Sequence, residues 1–371
     1  MVEPARLSVA ELADGALPAP ALDATGQVRE PLLAVDLDGD LDGALGPGLD
    51  VVTVKRALAH LRGGDRLLVG VAGGTAGGVA GPLPPHVAEL AGALDVTLAG
   101  PSVVAGRECV PVADPRGQLA ALHAAAARNP QAAVVLGGVL RTVESLPVPA
   151  ALDVESLAYS TLLGGTEFGD WLAGRGSRPG PPLVADPVLI ERDGDRLLIT
   201  LNRPRRRNAY GRQLRDALVE ALRLALLDPT LARVVLEGAG PCFCSGGDLD
   251  EFGTTPDLTT AHLVRTRAGA GRLLHELAAR TEVRVHGPCV GAGIELPAFA
   301  GTLVADPAAT FRLPEVSMGL IPGAGGTVSI PRRIGRWRTL YLALTGIAID
   351  APTALRWGLI DEMAPRARRP G

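Results

Sequence analysis

Two glutamates, Glu295 and Glu315, stand in segments that are rich in glycine and otherwise poor in charge. The segments are PCFCSGGDLDEF (241–252), HGPCVGAGIEL (286–296) and FRLPEVSMGLIPGAGGT (311–327). Two carboxyl groups brought to one spot can do general acid–base work on a single water, one taking a proton while the other gives one. Glycine frees the backbone to turn its N–H groups out of ladders and toward a ligand, and converging N–H groups stabilise charge that develops on an oxygen. The GAG at 291–293 falls where a helix is expected to begin, so free N–H groups and the positive end of the dipole gather there. Glu295 lies one turn further in. Taken alone, Glu295 also reads as a first-turn glutamate that favours the dipole. Glu315, its approach fixed by Pro314, also reads as an ordinary loop acid.

Other reactive side chains offer less. His60, His86, His123, His262 and His275 all fall in helical patterns, as packing or surface residues. Cys109, Cys242, Cys244 and Cys289 follow no disulfide or zinc spacing and read as buried thiols of a reducing compartment. The Gly-rich stretch 73–81 lacks a GxxxxGK[ST] pattern and reads as a loop.

The elements that must hold these groups divide the chain. Residues 1–30 look peripheral. In the N-terminal region, 31–176, strands are expected at 31–37, 66–73, 96–99 and 132–136, with helices at 51–61, 86–94 and 118–128. That alternation predicts parallel βα units in a non-catalytic α/β domain. Residues 153–174 predict two helices around a Gly-Gly break. SRPGPPLVADP (177–187), with four prolines in eleven residues, is the expected linker. The expected catalytic domain, 188–366, starts with a hairpin around Asp193-Gly194-Asp195. A helix led by Asn208 follows, with Leu214, Leu218, Leu222 and Leu226 on one stripe. Next come a strand at 232–240 that empties into the Gly-Gly turn, a helical segment at 259–280, and a strand–turn–helix unit at 282–301. Strands, a loop and helices beginning near Val328 and Trp337 complete it.

Composition narrows the classes. With 371 residues, 47% hydrophobic, the chain can bury a sizeable core. A net charge of −4 argues against binding nucleic acid by phosphate neutralisation. No apolar run is long enough to span a bilayer, and the N-terminus lacks a secretory apolar segment, so a cytoplasmic location is expected. Lys55 is the only lysine, which leaves anionic ligand groups to arginine or backbone N–H.

Six motifs occur in order: LNRP…NA (201–209), FCSGGDL (243–249), HGPCVGAGIEL (286–296), FRLPE (311–315), GLIPGAGGT (319–327) and TG…A…A…WGLIDE (345–362). Together they make the stretch from about Val188 to Pro365 resemble the crotonase (enoyl-CoA hydratase/isomerase) superfamily. The resemblance implies a spiral of ββα units that binds an acyl-CoA thioester and stabilises an enolate oxygen with two backbone N–H groups. By motif position these belong to Ser245 and Ala292, the second a glycine in most of the family. It also implies that Asn208, Ala209, Gly246, Gly247, Asp248, Leu249 and Gly291 form the coenzyme A side of the site. Coenzyme A is then part of the substrate, and no separate cofactor or metal is implied. Both glutamates of the hydratases have counterparts, Glu295 and Glu315, which favours hydration of a 2-enoyl-CoA. An isomerase, a hydrolase, a cofactor-free aryl-acetyl-CoA oxygenase and a non-catalytic acyl-CoA-binding subunit are the alternatives.

Family members continue beyond the position of Pro365 as helices that cover the site and help build trimers, so a trimer-based homo-oligomer is implied. ESLAYSTLLGGTEFGDWLAGR (155–175) is similar to such a helical tail. The first half is therefore expected to be a degenerate crotonase-like copy that supplies the cover.

Overall fold

The computed structural model describes residues 4–15, 22–37, 51–61, 64–73, 81–104 and 106–366. Most of the Gly-rich stretch and the tail, residues 367–371, lie outside the described residues. The chain forms two compact units, one of residues 1–141 with 335–345, the other of residues 142–334 with 346–371.

In the first unit the elements run β1 (Arg6–Ser8), α1 (Val9–Ala13), β2 (Leu32–Asp36), α2 (Val51–His60), β3 (Leu67–Ala72), β4 (Gly81–Pro82), α3 (Pro85–Ala93), β5 (Val96–Ala99), β6 (Val103–Val104), β7 (Cys109–Pro111), α4 (Pro115–Arg128) and α5 (Pro130–Val143). The main sheet has the order β1-β2-β3-β5-β7 and every pair is parallel. Such a sheet needs both faces covered, and β3 and β5 are buried throughout. Leu33, Val35 and Leu68 pack with Leu12, Val54 and Leu90 of α1, α2 and α3, while α4 packs over β2, β3 and β5. Buried Asp95 accepts from the Leu68 N–H and from Arg141, each at 2.8 Å. Arg336 and Trp337 donate to the Gly92 carbonyl at 2.7 and 3.1 Å, which ties residues 335–345 to this unit.

The second unit continues with α6 (Val148–Leu163), α7 (Thr166–Arg175), β8 (Val188–Asp193), β9 (Arg196–Leu201), α8 (Arg212–Leu227), β10 (Arg233–Gly238), α9 (Leu258–Ala268), α10 (Ala270–Glu276), β11 (Thr281–Val285), β12 (Pro288–Val290), α11 (Ala292–Glu295), β13 (Thr302–Ala305), β14 (Thr310–Arg312), α12 (Gly326–Thr345, kinked at Gly335), β15 (Ile349–Asp350), α13 (Ala351–Trp357) and β16 (Glu362–Met363). The large sheet has the order β16-β13-β11-β10-β9-β8, parallel except for the β8–β9 hairpin. A smaller sheet, β12-β14-β15, forms a second layer. From β11 onward the chain lays a strand in the large sheet, then one in the smaller sheet, then a helix (β11-β12-α11, β13-β14-α12), while β9 and β10 lead to α8 and α9 with no strand in the smaller sheet. The order β9-β10-β11-β13-β16 with β12-β14 repeats, strand for strand, the order β1-β2-β3-β5-β7 with β4-β6 of the first unit.

Three expectations change. Residues 132–136 are helix, inside α5, not strand. Ala132, Ala133, Leu136, Leu140 and Val143 are buried at helical spacing, and the apolar run is longer than a strand needs. The helix expected from Asn208 begins at Arg212, because Asn208 is left-handed, φ 52°. The domain boundary expected at residue 176 falls at 141–142, because α6 packs on α9 and α10, and α7 on the turn that starts at Glu315. Residues 177–187 carry no helix or strand, but they lie inside the second unit and not between the two. Among the described residues no helix is long and apolar enough to cross a membrane.

Candidate active site

The site is assembled by short loops at strand ends. Behind β10 the chain is gathered by the Asn208 carboxamide. Its Oδ1 accepts the Arg203 N–H at 2.8 Å, and its Nδ2 donates to the carbonyls of Ala239, Cys242 and Phe243 at 2.8, 3.1 and 3.0 Å. Asn208 is fully buried and Ala209 nearly so, and neither is among the residues lining the cavity. The two residues expected on the coenzyme A side of the site thus lie outside this cavity wall. Asn208 shapes the loop that delivers Gly246 and Gly247. Asn208→Ala leaves those three carbonyls without their donor and is expected to destabilise the fold by about 3 kcal/mol, read as a lowered urea midpoint. An unchanged midpoint would refute the role.

The Ser245 N–H, expected to face the ligand, donates instead to the Arg207 carbonyl at 3.0 Å. The next two residues differ. Gly246, at φ 98°, sits against Val290 of β12, where a Cβ would meet the Val290 carbonyl at 3.0 Å. Its own carbonyl accepts from the Tyr210 N–H at 2.7 Å. Among the described residues no group accepts from the N–H of Gly247 or Ala292, and both line, with Gly246, one cavity of about 890 Å³. Ala292 is the first residue of α11, where an N–H has no intrahelical partner. Asp248 and Leu249 also line the cavity. The Asp248 carboxylate, however, is turned to Arg206 at 2.5 Å and Arg203 at 3.5 Å, and Arg206 and Arg175 share Asp250 at 2.7 Å each. These ion pairs fix the loop.

Glu295 and Glu315 do meet. Both are buried and both line the cavity. Gly291 does not line it, but both carboxyls lie beside it. Its φ of 50° and ψ of −120° are open only to glycine. A Cβ there would collide with Glu315 Oε1 and stand 3.6 Å from Glu295 Oε1. Glu295 Oε2 accepts the N–H groups of Ala324 and Gly326 at 2.7 and 2.9 Å. Glu315 Oε2 is buried with no hydrogen-bond partner among the described residues. Burial pushes the Glu315 carboxyl up to about 8. Burial, then the neighbouring carboxyls of Glu315 and Glu155, hold Glu295 well above the usual range against its two amide donors.

Sequence reasoning missed the third acid. Glu155 of α6 is buried in the same cavity wall. It accepts from Gly325 N–H, Thr327 N–H and Thr327 Oγ1 at 2.8, 2.9 and 2.7 Å, and burial pushes it up to about 7. Its signal was an acid that opens the uncharged run SLAYSTLL, two residues after Asp153 in the same helix. Tyr159 and Leu163 of α6 and Trp171 of α7 extend the wall, so these helices cover the site, as expected for 155–175. The four cysteines are all buried and unbridged. Arg175, Arg212, Arg215, Arg265 and Arg272 also line the cavity, with Asp248 and Glu251.

Buried carboxyls facing unclaimed main-chain amides, on a two-layered β-spiral, define an acid–base site suited to a ligand with a carbonyl oxygen. The model of the enoyl-CoA hydratase/isomerase family matches residues 193–368. A probable enoyl-CoA hydratase of Mycobacterium tuberculosis is 33% identical over 185 residues, 49% of this chain and 70% of that protein. The 2,3-dehydroadipyl-CoA hydratase of Escherichia coli is 35% identical over 178 residues, covering 48% and 69%. A crystal structure of a Mycobacterium smegmatis enoyl-CoA hydratase aligns at 29% identity with a TM-score of 0.45, over 49% of this chain and 71% of that one. The chain belongs to the enoyl-CoA hydratase/isomerase family.

Proposed function

We propose that the protein is an enoyl-CoA hydratase that adds water across a 2-enoyl-CoA. The observation that carries this reading is the pair of buried glutamates whose Oε1 atoms lie together beside Gly291, in the cavity wall that also holds the unclaimed amides of Gly247 and Ala292. In this reading those two N–H groups receive the thioester oxygen, Gly247 taking the role first assigned to Ser245. Such a donor is worth about 3 kcal/mol in the transition state. Water held between the carboxyls adds its oxygen to C3. Its proton passes to Glu295, the C3–O bond forms, and the C2=C3 π pair shifts onto C2, which takes the proton of Glu315. Burial raises both carboxyls, and of the two only Glu295 has donors for its charged form, two amides on Oε2 against none on Glu315 Oε2, so in this reading the charge that the reaction needs rests on Glu295 and the proton on Glu315. So written, the reaction balances with no metal or redox cofactor; coenzyme A is part of the substrate.

The test is turnover of crotonyl-CoA, a 3-enoyl-CoA and an aryl-acetyl-CoA, with product analysis. Hydration of crotonyl-CoA supports the reading. Isomerisation, hydrolysis or oxygenation without hydration replaces it, and tight thioester binding without turnover makes the chain a binding subunit. We read the first unit as a degenerate copy of the spiral, on the support of its matching strand order. A trimer-based assembly in the cytoplasm is the accompanying expectation, checked by light scattering and cell fractionation.

A further inference from the structure

Four consecutive amides, 324 to 327, alternate between two buried acids. Ala324 and Gly326 donate to Glu295 Oε2; Gly325 and Thr327 donate to Glu155, joined by the Thr327 hydroxyl. The segment reads Ala-Gly-Gly-Thr and leads into α12 at Gly326, where the first amides of a helix have no intrahelical acceptor. What sets the direction of its odd and even amides is therefore the pair of carboxylates that receive them. Holding Glu295 by Oε2 leaves its Oε1 on the side of Gly291, where Glu315 Oε1 also lies.

We infer that Glu155 is a positioning residue for Glu295. By fixing the Gly325 and Thr327 amides from one side of the segment, it aims the Ala324 and Gly326 amides at Glu295 from the other, and so sets which oxygen of Glu295 meets the substrate. Glu155 reaches the segment from α6, 170 residues away in sequence. The charged and titratable groups around it are Arg265 of α9, Tyr159 of its own helix, Glu295 and Glu315. Arg265 is itself bound to α6, donating to the hydroxyls of Ser156 and Ser160 and stacking 4.4 Å from the Tyr159 ring. The helix that carries Glu155 is thus held in place independently of the acid.

The inference rests on the acid–base role proposed for Glu295, and its test separates the two. In full-length Glu155→Gln, one oxygen still accepts, but an NH₂ group now faces donors. The first reading is amide hydrogen exchange at Ala324 and Gly326, which Glu155 does not touch. It is expected to speed up about tenfold or more. The second is the kinetic split with whichever acyl-CoA the wild type converts. Expected is a kcat loss of about 10²-fold with KM and Tm little changed, and partial recovery in Glu155→Asp. Wild-type exchange at Ala324 and Gly326, or an undiminished kcat, would overturn the proposal. So would equal losses in kcat, KM and Tm, the mark of a merely structural residue. If Glu155→Gln does not fold, Glu155→Asp carries both readings. The exchange reading needs no substrate, so a chain inert toward every acyl-CoA refutes the functional reading while the amides still decide this one.

Discussion

Glu315→Gln is expected to lower kcat by about 10²–10⁴-fold, the usual worth of a positioned general acid, with the fold intact. The carboxyl is buried and one oxygen has no partner, so replacing it with an amide removes no hydrogen bond. What is lost is a proton poised for transfer at neutral pH, because burial has pushed this acid up to about 8. Steady-state kinetics of the purified variant checks this, and wild-type hydration by Glu315→Gln would remove Glu315 from the mechanism. The same substitution has a thermodynamic signature. An acid raised from 4.5 to about 8 in the folded chain holds its proton there while the unfolded chain releases it. The unfolded state thus binds fewer protons across that window, and stability falls as pH rises through it. The contribution is full below 4.5 and gone above about 8, and Glu155 acts in the same sense up to about 7. Glu315→Gln should be flatter than wild type in urea melts between about pH 5 and about pH 9. A parallel pH dependence in the two proteins would count against a raised Glu315.

Gly291→Ala should be nearly as damaging to activity, although it touches no reacting group directly. The residue holds φ 50° with ψ −120°, which costs an L-residue about 1–3 kcal/mol. Its new methyl would fall on Glu315 Oε1. The carboxyl must swing away or the β12–α11 turn must open, and displacements near 1 Å cost about 10²-fold in rate. The turn is well tied, the Gly291 N–H donating to the Arg312 carbonyl at 2.9 Å and its carbonyl accepting from Ile294 and Glu295 at 2.8 and 2.9 Å. We therefore expect the side chain to yield first. Expected are a kcat loss of at least about 10²-fold and a lowered Tm. Full activity in a folded Gly291→Ala protein would mean that Glu315 does not work from the place it occupies.

Much of this site was legible because its acids sit in short-range patterns. Glu295 one turn into a helix after Gly-Ala-Gly, and Glu315 after Pro314, are local arrangements that a sequence displays. The hairpin, α8 and the strand feeding the Gly-Gly turn were legible for the same reason, since the leucine stripe of α8 is a local period. Leu226 is the exception, 39% exposed while Leu214, Leu218 and Leu222 are buried, because it lies at the outer end of the stripe. What was not legible depended on long-range partners. Nothing near Ser245 reveals that its N–H is claimed by Arg207, which shifts the unclaimed donor of this loop to Gly247. Nothing in NA at 208–209 reveals that the carboxamide turns inward to three carbonyls instead of outward to a ligand. Glu155 became a site residue only through amides 170 and 172 positions away. The helix mistaken for a strand at 132–136 failed for another reason, since a short apolar run satisfies either period.

The two compact units are interleaved along the chain. Residues 142–175, in the first half of the sequence, fold with the family-like spiral, and residues 335–345, inside the family-like half, fold with the opposite unit. Gene dissection at the proline-rich linker would therefore give no clean modules. The downstream fragment would lack Glu155 and Tyr159, and the upstream fragment would lack the arginine and tryptophan that grip the Gly92 carbonyl. Any engineered transplant of this spiral onto another scaffold has to carry the two helices that precede the linker.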